Sequence, residues 1–155
     1  MTTTTDTVLL KVQRILTGHF QLKVSLVGEQ LVVRFADQST IGTVTVVPRG
    51  SSADSGPKTY VHIDCPILFD VPRTPALYEW VARNACERWI GGIRMQAGST
   101  PELASLSMVY TLVGDTLDPV ELGAALLVPL HDADQLDDEL KAQFGGKTFA
   151  DMAGN

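Results

Sequence analysis

Val8, Leu9, Val12, Ile15 and Leu16 recur at helical spacing and form one apolar stripe. Asp6 can cap its start and Gly18 can end it, so the pattern predicts a helix over 6–17. The period then drops to two. Phe20, Leu22, Val24 and Leu26 alternate with Gln21, Lys23 and Ser25, which predicts a half-buried strand. Val27-Gly28-Glu29 turns the chain into a second strand at 31–36, where Leu31, Val33 and Phe35 share a face. Asp37-Gln38-Ser39 turns it again into a third strand, 41–48, stopped by Pro48, which has no N–H for a ladder. Residues 49–57 read as a flexible loop, and 59–65 as a fourth strand with Val61, Ile63 and Cys65 on one side and Tyr60, His62 and Asp64 on the other. Short turns make the four strands an antiparallel meander.

Pro66–Arg73 reads as an irregular apolar connection. Thr74-Pro75 is a cap followed by proline at the first helical position, and Leu77, Trp80, Val81 and Asn84 carry a helix to about Arg88. Two more strands are expected at Trp89–Met95 and Leu106–Val113, joined by a polar loop over 96–105. Asp118-Pro119-Val120-Glu121 opens a last helix with cap, proline and capping-box acid in sequence. Leu122, Ala125 and Leu126 continue its stripe, and Pro129 is expected to break or kink it before a second stretch on Leu136, Leu140 and Phe144. Gly145-Gly146 stops it. Phe149 and Met152 are candidates to dock the tail.

The order is α-ββββ-α-ββ-α. It predicts an α+β fold, a single antiparallel twisted sheet with helices packed on it. One domain is expected over 6–149, with short tails at 1–5 and 150–155.

Composition narrows the function. The net charge is −6, and residues 115–155 hold nine acids and two bases, against nine acids and ten bases in 1–114. A nucleic-acid binder needs a basic patch to neutralise phosphates, and none is evident, so no nucleic-acid partner is expected. No apolar run approaches the roughly 20 residues that span a bilayer, so no membrane insertion is expected. The first residues have neither a basic segment nor a long apolar one, unlike a secretory signal. Cys65 and Cys86 fall inside predicted elements and are expected to be buried free thiols in a cytoplasmic, reducing setting.

Catalytic patterns are weak. His62 and Asp64 lie two apart on one strand face, the spacing of two metal ligands or an acid–base pair, but a third ligand is not evident in the sequence. Cys65 points to the opposite face from His62, which argues against a Cys–His nucleophile. His19 and His131 read as helix-end or solvent-exposed residues. Gly91-Gly92 and Gly145-Gly146 lack phosphate-loop spacing. Gly91-Gly92 instead suggests a bulge or a close backbone approach. The acids of the last helix lack the order of an EF-hand. No cofactor and no metal are expected.

Two surfaces remain. The second sheet face should carry Val32, Arg34, Tyr60, His62, Ile90, Arg94, Val109 and Thr111, a mixture of apolar, aromatic and cationic groups suited to another polypeptide. Val32, Arg34, Tyr60, His62 and Arg94 are the candidate peptide-binding residues. Asp132, Asp134, Asp137 and Asp138 form a candidate acidic docking surface on the last helix.

Several segments carry a resemblance: Leu31-Val32-Val33-Arg34-Phe35, Thr74-Pro75-Ala76-Leu77-Tyr78-Glu79-Trp80, Gly114-Asp115-Thr116-Leu117-Asp118-Pro119, Leu136-Asp137-Asp138-Glu139-Leu140 and Phe144-Gly145-Gly146. Over 6–149 the chain resembles the actinobacterial YbjN and type III secretion chaperone-like, peptide-binding domain family. The resemblance implies a cytosolic acidic domain, often a homodimer, that binds extended client segments and has no shared catalytic motif. The expected function is therefore a non-enzymatic chaperone-like or adaptor domain binding a protein or peptide client on a sheet face or edge. The alternatives are a structural or regulatory subunit docking through its acidic C-terminal helix, and a small enzyme or metal site around His62 and Asp64.

Overall fold

A computed structural model describes residues 4–35, 39–49, 58–88 and 90–154. The turn expected at Asp37-Gln38, the loop over 50–57 and Trp89 lie outside the described residues, as do 1–3 and 155. Among the described residues the fold is α+β, with one antiparallel six-stranded sheet and four α-helices.

The elements are α1 (Thr4–Arg14), β1 (Val24–Val27), β2 (Gln30–Val33), β3 (Gly42–Pro48), β4 (Thr59–Pro72), α2 (Pro75–Asn84), β5 (Gly92–Ala97), β6 (Leu103–Val113), α3 (Pro119–Phe144) and α4 (Phe149–Ala153). Across the sheet they run β1-β2-β3-β4-β6-β5. The meander is therefore as expected, and β6 inserts between β4 and β5.

Three helices lie on one face of the sheet. Val8, Val12, Ile15 and Leu16, from α1 and the π-turn Ile15–His19 that follows it, are buried against β3 and β4. In α3, Leu126 and Leu130 face Gly42 of β3, and Pro129 faces Gly91 ahead of β5. Trp80 of α2 meets Phe144 of α3 edge-to-face, with centroids 6.2 Å apart. Of the strand faces predicted by alternation, Leu31, Val33, Val61, Ile63 and Cys65 are all at 0% exposure, with Val44 of β3 beside them, whereas Phe35 lies past β2 and is half-buried.

Several boundaries differ from expectation. The first strand starts at Val24 rather than Phe20, because Phe20 ends the π-turn and lays its ring on Gly123 of α3. The fourth strand does not stop at Cys65. It continues to Pro72 through register shifts at Pro66/Leu68 and Leu68/Val71, which bring the adjacent Ile67 and Leu68 both inside. Asp70 takes the left-handed conformation there, φ 52°, and its carboxylate accepts Ser99 N–H at 2.8 Å, tying the bulge to the β5–β6 turn. The β5–β6 loop is shorter than expected, and β5 begins only at Gly92. Gly91 and Gly92 mark a close approach, as expected: a Cβ at Gly91 would lie 3.2 Å from Val109 O, and one at Gly92 would lie 3.0 Å from Ala85 O.

The expected break at Pro129 is absent, and α3 is one helix of 26 residues. Proline deletes one ladder N–H, a cost of about 3 kcal/mol in an exposed helix. Here Leu122, Leu126, Leu130, Ala133, Leu136 and Leu140 keep a single buried stripe through the site, and that burial offsets the lost bond. Thr74 and Asp118 cap their helices as predicted, accepting Leu77 N–H and Glu121 N–H. Among the described residues no helix is long and apolar enough to cross a membrane.

Candidate functional site

The face opposite α1, α2 and α3 can be read off the register. One cross-strand row is Val32–Thr43–Asp64–Val109–Gly92, and the next is Gln30–Thr45–His62–Thr111. Tyr60, His62, Asp64, Arg94 and Val109 are half-buried and Thr111 is exposed. Ile90, also half-buried, lies ahead of β5 and not on a strand.

His62, Asp64, Arg94 and Thr111 form one hydrogen-bonded cluster. Arg94 Nη2 pairs with Asp64 Oδ2, and Arg94 Nη1 lies 3.3 Å from His62 Nε2. Since guanidinium can only donate, Nε2 accepts; Nδ1 then carries the proton and donates to Thr111 Oγ1 at 3.0 Å. Burial lowers the His62 pKa and the Arg94 charge lowers it further, while Asp64 opposes them. The imidazole is thus held neutral with both nitrogens engaged. Neither nitrogen is left to take a proton from a bound molecule, so the geometry suits a fixed polar surface better than a general base. Arg94 Nε is buried without a hydrogen-bond partner. Among the described residues no three His, Cys, Asp or Glu side chains converge as a metal-binding group.

A second feature lies at the β1–β2 end of the same face. Arg34 is exposed just past β2 and sits over the Phe149 ring, 5.7 Å from its centroid. Lys23, Val32, Arg34, Ile41 and Phe149 line a shallow groove of about 410 Å³. The five predicted peptide-binding residues thus divide. His62 and Arg94 touch each other with Tyr60 two residues along β4, whereas Val32 and Arg34 belong to the groove. The groove's Lys23 escaped the sequence reading, although period two already placed it with Ser25 on the polar side.

The candidate acidic docking surface does not form as expected. Asp137 is at 0% exposure and accepts Ser39 Oγ–H and Asp138 N–H. Asp134 accepts Ser39 N–H at 2.7 Å and Ser39 Oγ–H at 2.9 Å, and Asp132 pairs with Arg88 at 3.1 Å. Only Asp138 of the four is exposed. The unbroken helix explains this, because its phase carries through Pro129 and turns Asp137 inward with Leu136 and Leu140. Burial holds the Asp137 carboxyl above its usual range, and the Ser39 hydrogen bond opposes it.

Both cysteines are free. Cys65 is buried as expected, and burial pushes its thiol far above the usual range. Cys86 is a correction: it is exposed in the turn after α2, because the helix ends at Asn84 and not near Arg88. His131 is exposed, and His19 is exposed with its ring perpendicular to that of Phe20, centroids 4.7 Å apart. No protein-family model matches the chain, and no curated protein matches it in sequence.

Proposed function

We propose that this chain is a non-enzymatic binding domain, a chaperone-like or adaptor protein of the cytoplasm. It takes an extended segment of another polypeptide on the sheet face opposite α1, α2 and α3 or along the rim. The observation that carries this reading is the uneven packing, in which α1 and α3 cover one face and Phe149 of α4 meets the other at its β1–β2 end. Leucine and valine side chains of α1 and α3 bury one face, while Val32, Tyr60, His62, Arg94 and Val109 stay half-exposed on the other. A solvated sheet face is ordinarily more polar than this. Mixed aromatic, apolar and Arg-bearing surfaces are what polypeptide contacts favour. Main-chain bonding at a strand rim supplies affinity independent of sequence, and side chains on the face supply selection. The engaged His62–Arg94–Asp64 cluster supports a binding role, since it presents fixed groups and not a free base.

A photo-reactive side chain placed in turn at Thr45, Thr111 and Glu139 tests the reading in cell lysate. Thr45 and Thr111 lie on the uncovered face, and Glu139 is exposed on α3. Adducts from Thr45 and Thr111, mapping by mass spectrometry to a short continuous client stretch, are expected, with few from Glu139. Equal labelling from all three, or none from any, would overturn it.

A further inference from the structure

The sheet has a free rim whose hydrogen-bonding phase can be worked out. Arg49 N–H bonds Lys58 O, so the odd-numbered residues of β3 turn their backbone groups to β4 and the even-numbered ones turn to β2. Val33 and Leu31 of β2 therefore bond β3, and Gln30 and Val32 bond Val27 and Ser25 of β1. The two-residue turn Gly28-Glu29, with Gly28 at φ 62°, requires the same phase, because it closes on a bonded Val27–Gln30 pair. Val24 and Leu26 are left with N–H and C=O pointing away from the sheet. No backbone bond from a described residue reaches them.

The side chains around this rim have a definite chemistry. Leu26 shares a side with the buried Leu31, yet lies beyond the helices at 59% exposure. On the other side lie Lys23 and Arg34, exposed cations that pair with no acid among the described residues. The chain as a whole is acidic at −6, and its acids concentrate in the last 41 residues, 115–155, so this cationic corner runs against the overall charge.

We propose that the outer rim of β1 takes an acidic, extended client segment as an added antiparallel strand, a placement that rests on the binding reading above. Successive side chains of a strand point to opposite faces. The segment must then alternate apolar residues, packed beside Val24 and Leu26, with carboxylates facing Lys23 and Arg34. Directly paired antiparallel residues share a face, so the apolar residues are also those whose backbone bonds the rim.

The probe is a fluorescent peptide, Ser-Val-Glu-Val-Glu-Val-Glu-Val-Ser, followed by anisotropy against the full chain, with its lysine counterpart as control. The glutamate peptide should bind at least tenfold more tightly than the lysine peptide. Lys23→Gln and Arg34→Gln should each weaken it by about fivefold, the upper range for an exposed pair. N-methylation of the valines should abolish binding, while N-methylation of the glutamates should be tolerated. These peptide changes leave the protein untouched. Equal tolerance of both methylation sets, or indifference to Lys23→Gln and Arg34→Gln, overturns the rim assignment. So does a homodimer whose contacts include Leu26 and which persists under saturating peptide, since the rim would then belong to a second copy. Crosslinks from Thr45 and Thr111 that survive those failures would leave the broader reading standing. Loss of both sets would remove it as well.

Discussion

Replacing Gly123 by alanine sets two effects of opposite sign against each other. Gly123 is buried in α3 beneath the Phe20 ring, and a Cβ there would lie 2.3 Å from Phe20 Cζ and 2.9 Å from Cε1. Alanine is favoured over glycine inside a helix by about 1 kcal/mol. Overfilling a packed contact costs roughly 1–3 kcal/mol. Phe20 is held on one side, because its ring stands perpendicular to that of His19 with centroids 4.7 Å apart and its backbone closes the π-turn on Ile15 O. The crowding should win, leaving Gly123→Ala destabilised by about 1 kcal/mol net. Phe20→Ala alone should cost about 2 kcal/mol, half of a fully buried phenylalanine, since Phe20 is only half-buried. Once the ring is gone the obstacle is gone, and alanine at 123 should become stabilising by about 1 kcal/mol. The sign therefore reverses between backgrounds, a coupling of about 2 kcal/mol. Urea unfolding followed by far-ultraviolet circular dichroism on the four proteins reads it directly. Thermal midpoints should move by roughly 2–4 °C per kcal/mol. If Gly123→Ala stabilises equally in both backgrounds, Phe20 does not rest on α3 and the route from α1 into β1 is wrong.

Three further outcomes follow from the site geometry. Burial raises the Asp137 carboxyl above its ordinary 3.8, so its contribution is fully present below that value and is lost as pH rises through the folded-state pKa. Asp137→Asn, which cannot ionise, should gain on the wild type in urea midpoint as pH rises from below 3.8 through the folded-state pKa, and a constant difference would contradict the burial. For His62, held below 6.5 by burial and Arg94, stability is present above the unfolded value and is lost as pH falls from there through the lower folded-state value; Arg94→Met should raise the NMR titration midpoint, because Asp64's attraction then acts unopposed by the guanidinium. An aromatic disulfide reagent should label Cys86 at once in the native protein and reach Cys65 only on unfolding; rapid reaction of both thiols would refute the buried position of Cys65.

Much of this architecture could be read locally. Thr74-Pro75 and Asp118-Pro119 carry their helix starts in the capping chemistry, and the alternation through Val61, Ile63 and Cys65 assigned the two faces of β4. Periodicity also put Val32, Tyr60, His62 and Arg94 on one side. It could not say that Arg94 would reach Asp64 and His62, because that contact depends on β6 lying between β4 and β5, a non-local choice. The extension of β4 was hidden because its bulges place Ile67 and Leu68 inside in succession and so erase the period-two signal. Asp137 was misassigned for a different reason. Proline's local cost at 129 is real, but a stripe of six buried apolar side chains outweighs it, and the helix phase that turns the acid inward survives only because the helix does. Phe149 under Arg34 unites residues 115 apart in sequence, which no local pattern encodes.

The strand order β1-β2-β3-β4-β6-β5 also dictates how the molecule can assemble. β5 is synthesised before β6, its only strand partner among the described residues, and must wait for it. The pair can close locally across the five residues 98–102, and β1 to β4, consecutive in the chain and paired in that order, can form apart from it. Two prefabricated halves remain, joined along one seam where Tyr60–Pro72 meets Leu103–Val113. Joining that seam closes the longest loops in the sheet, so it should form last and set the folding rate.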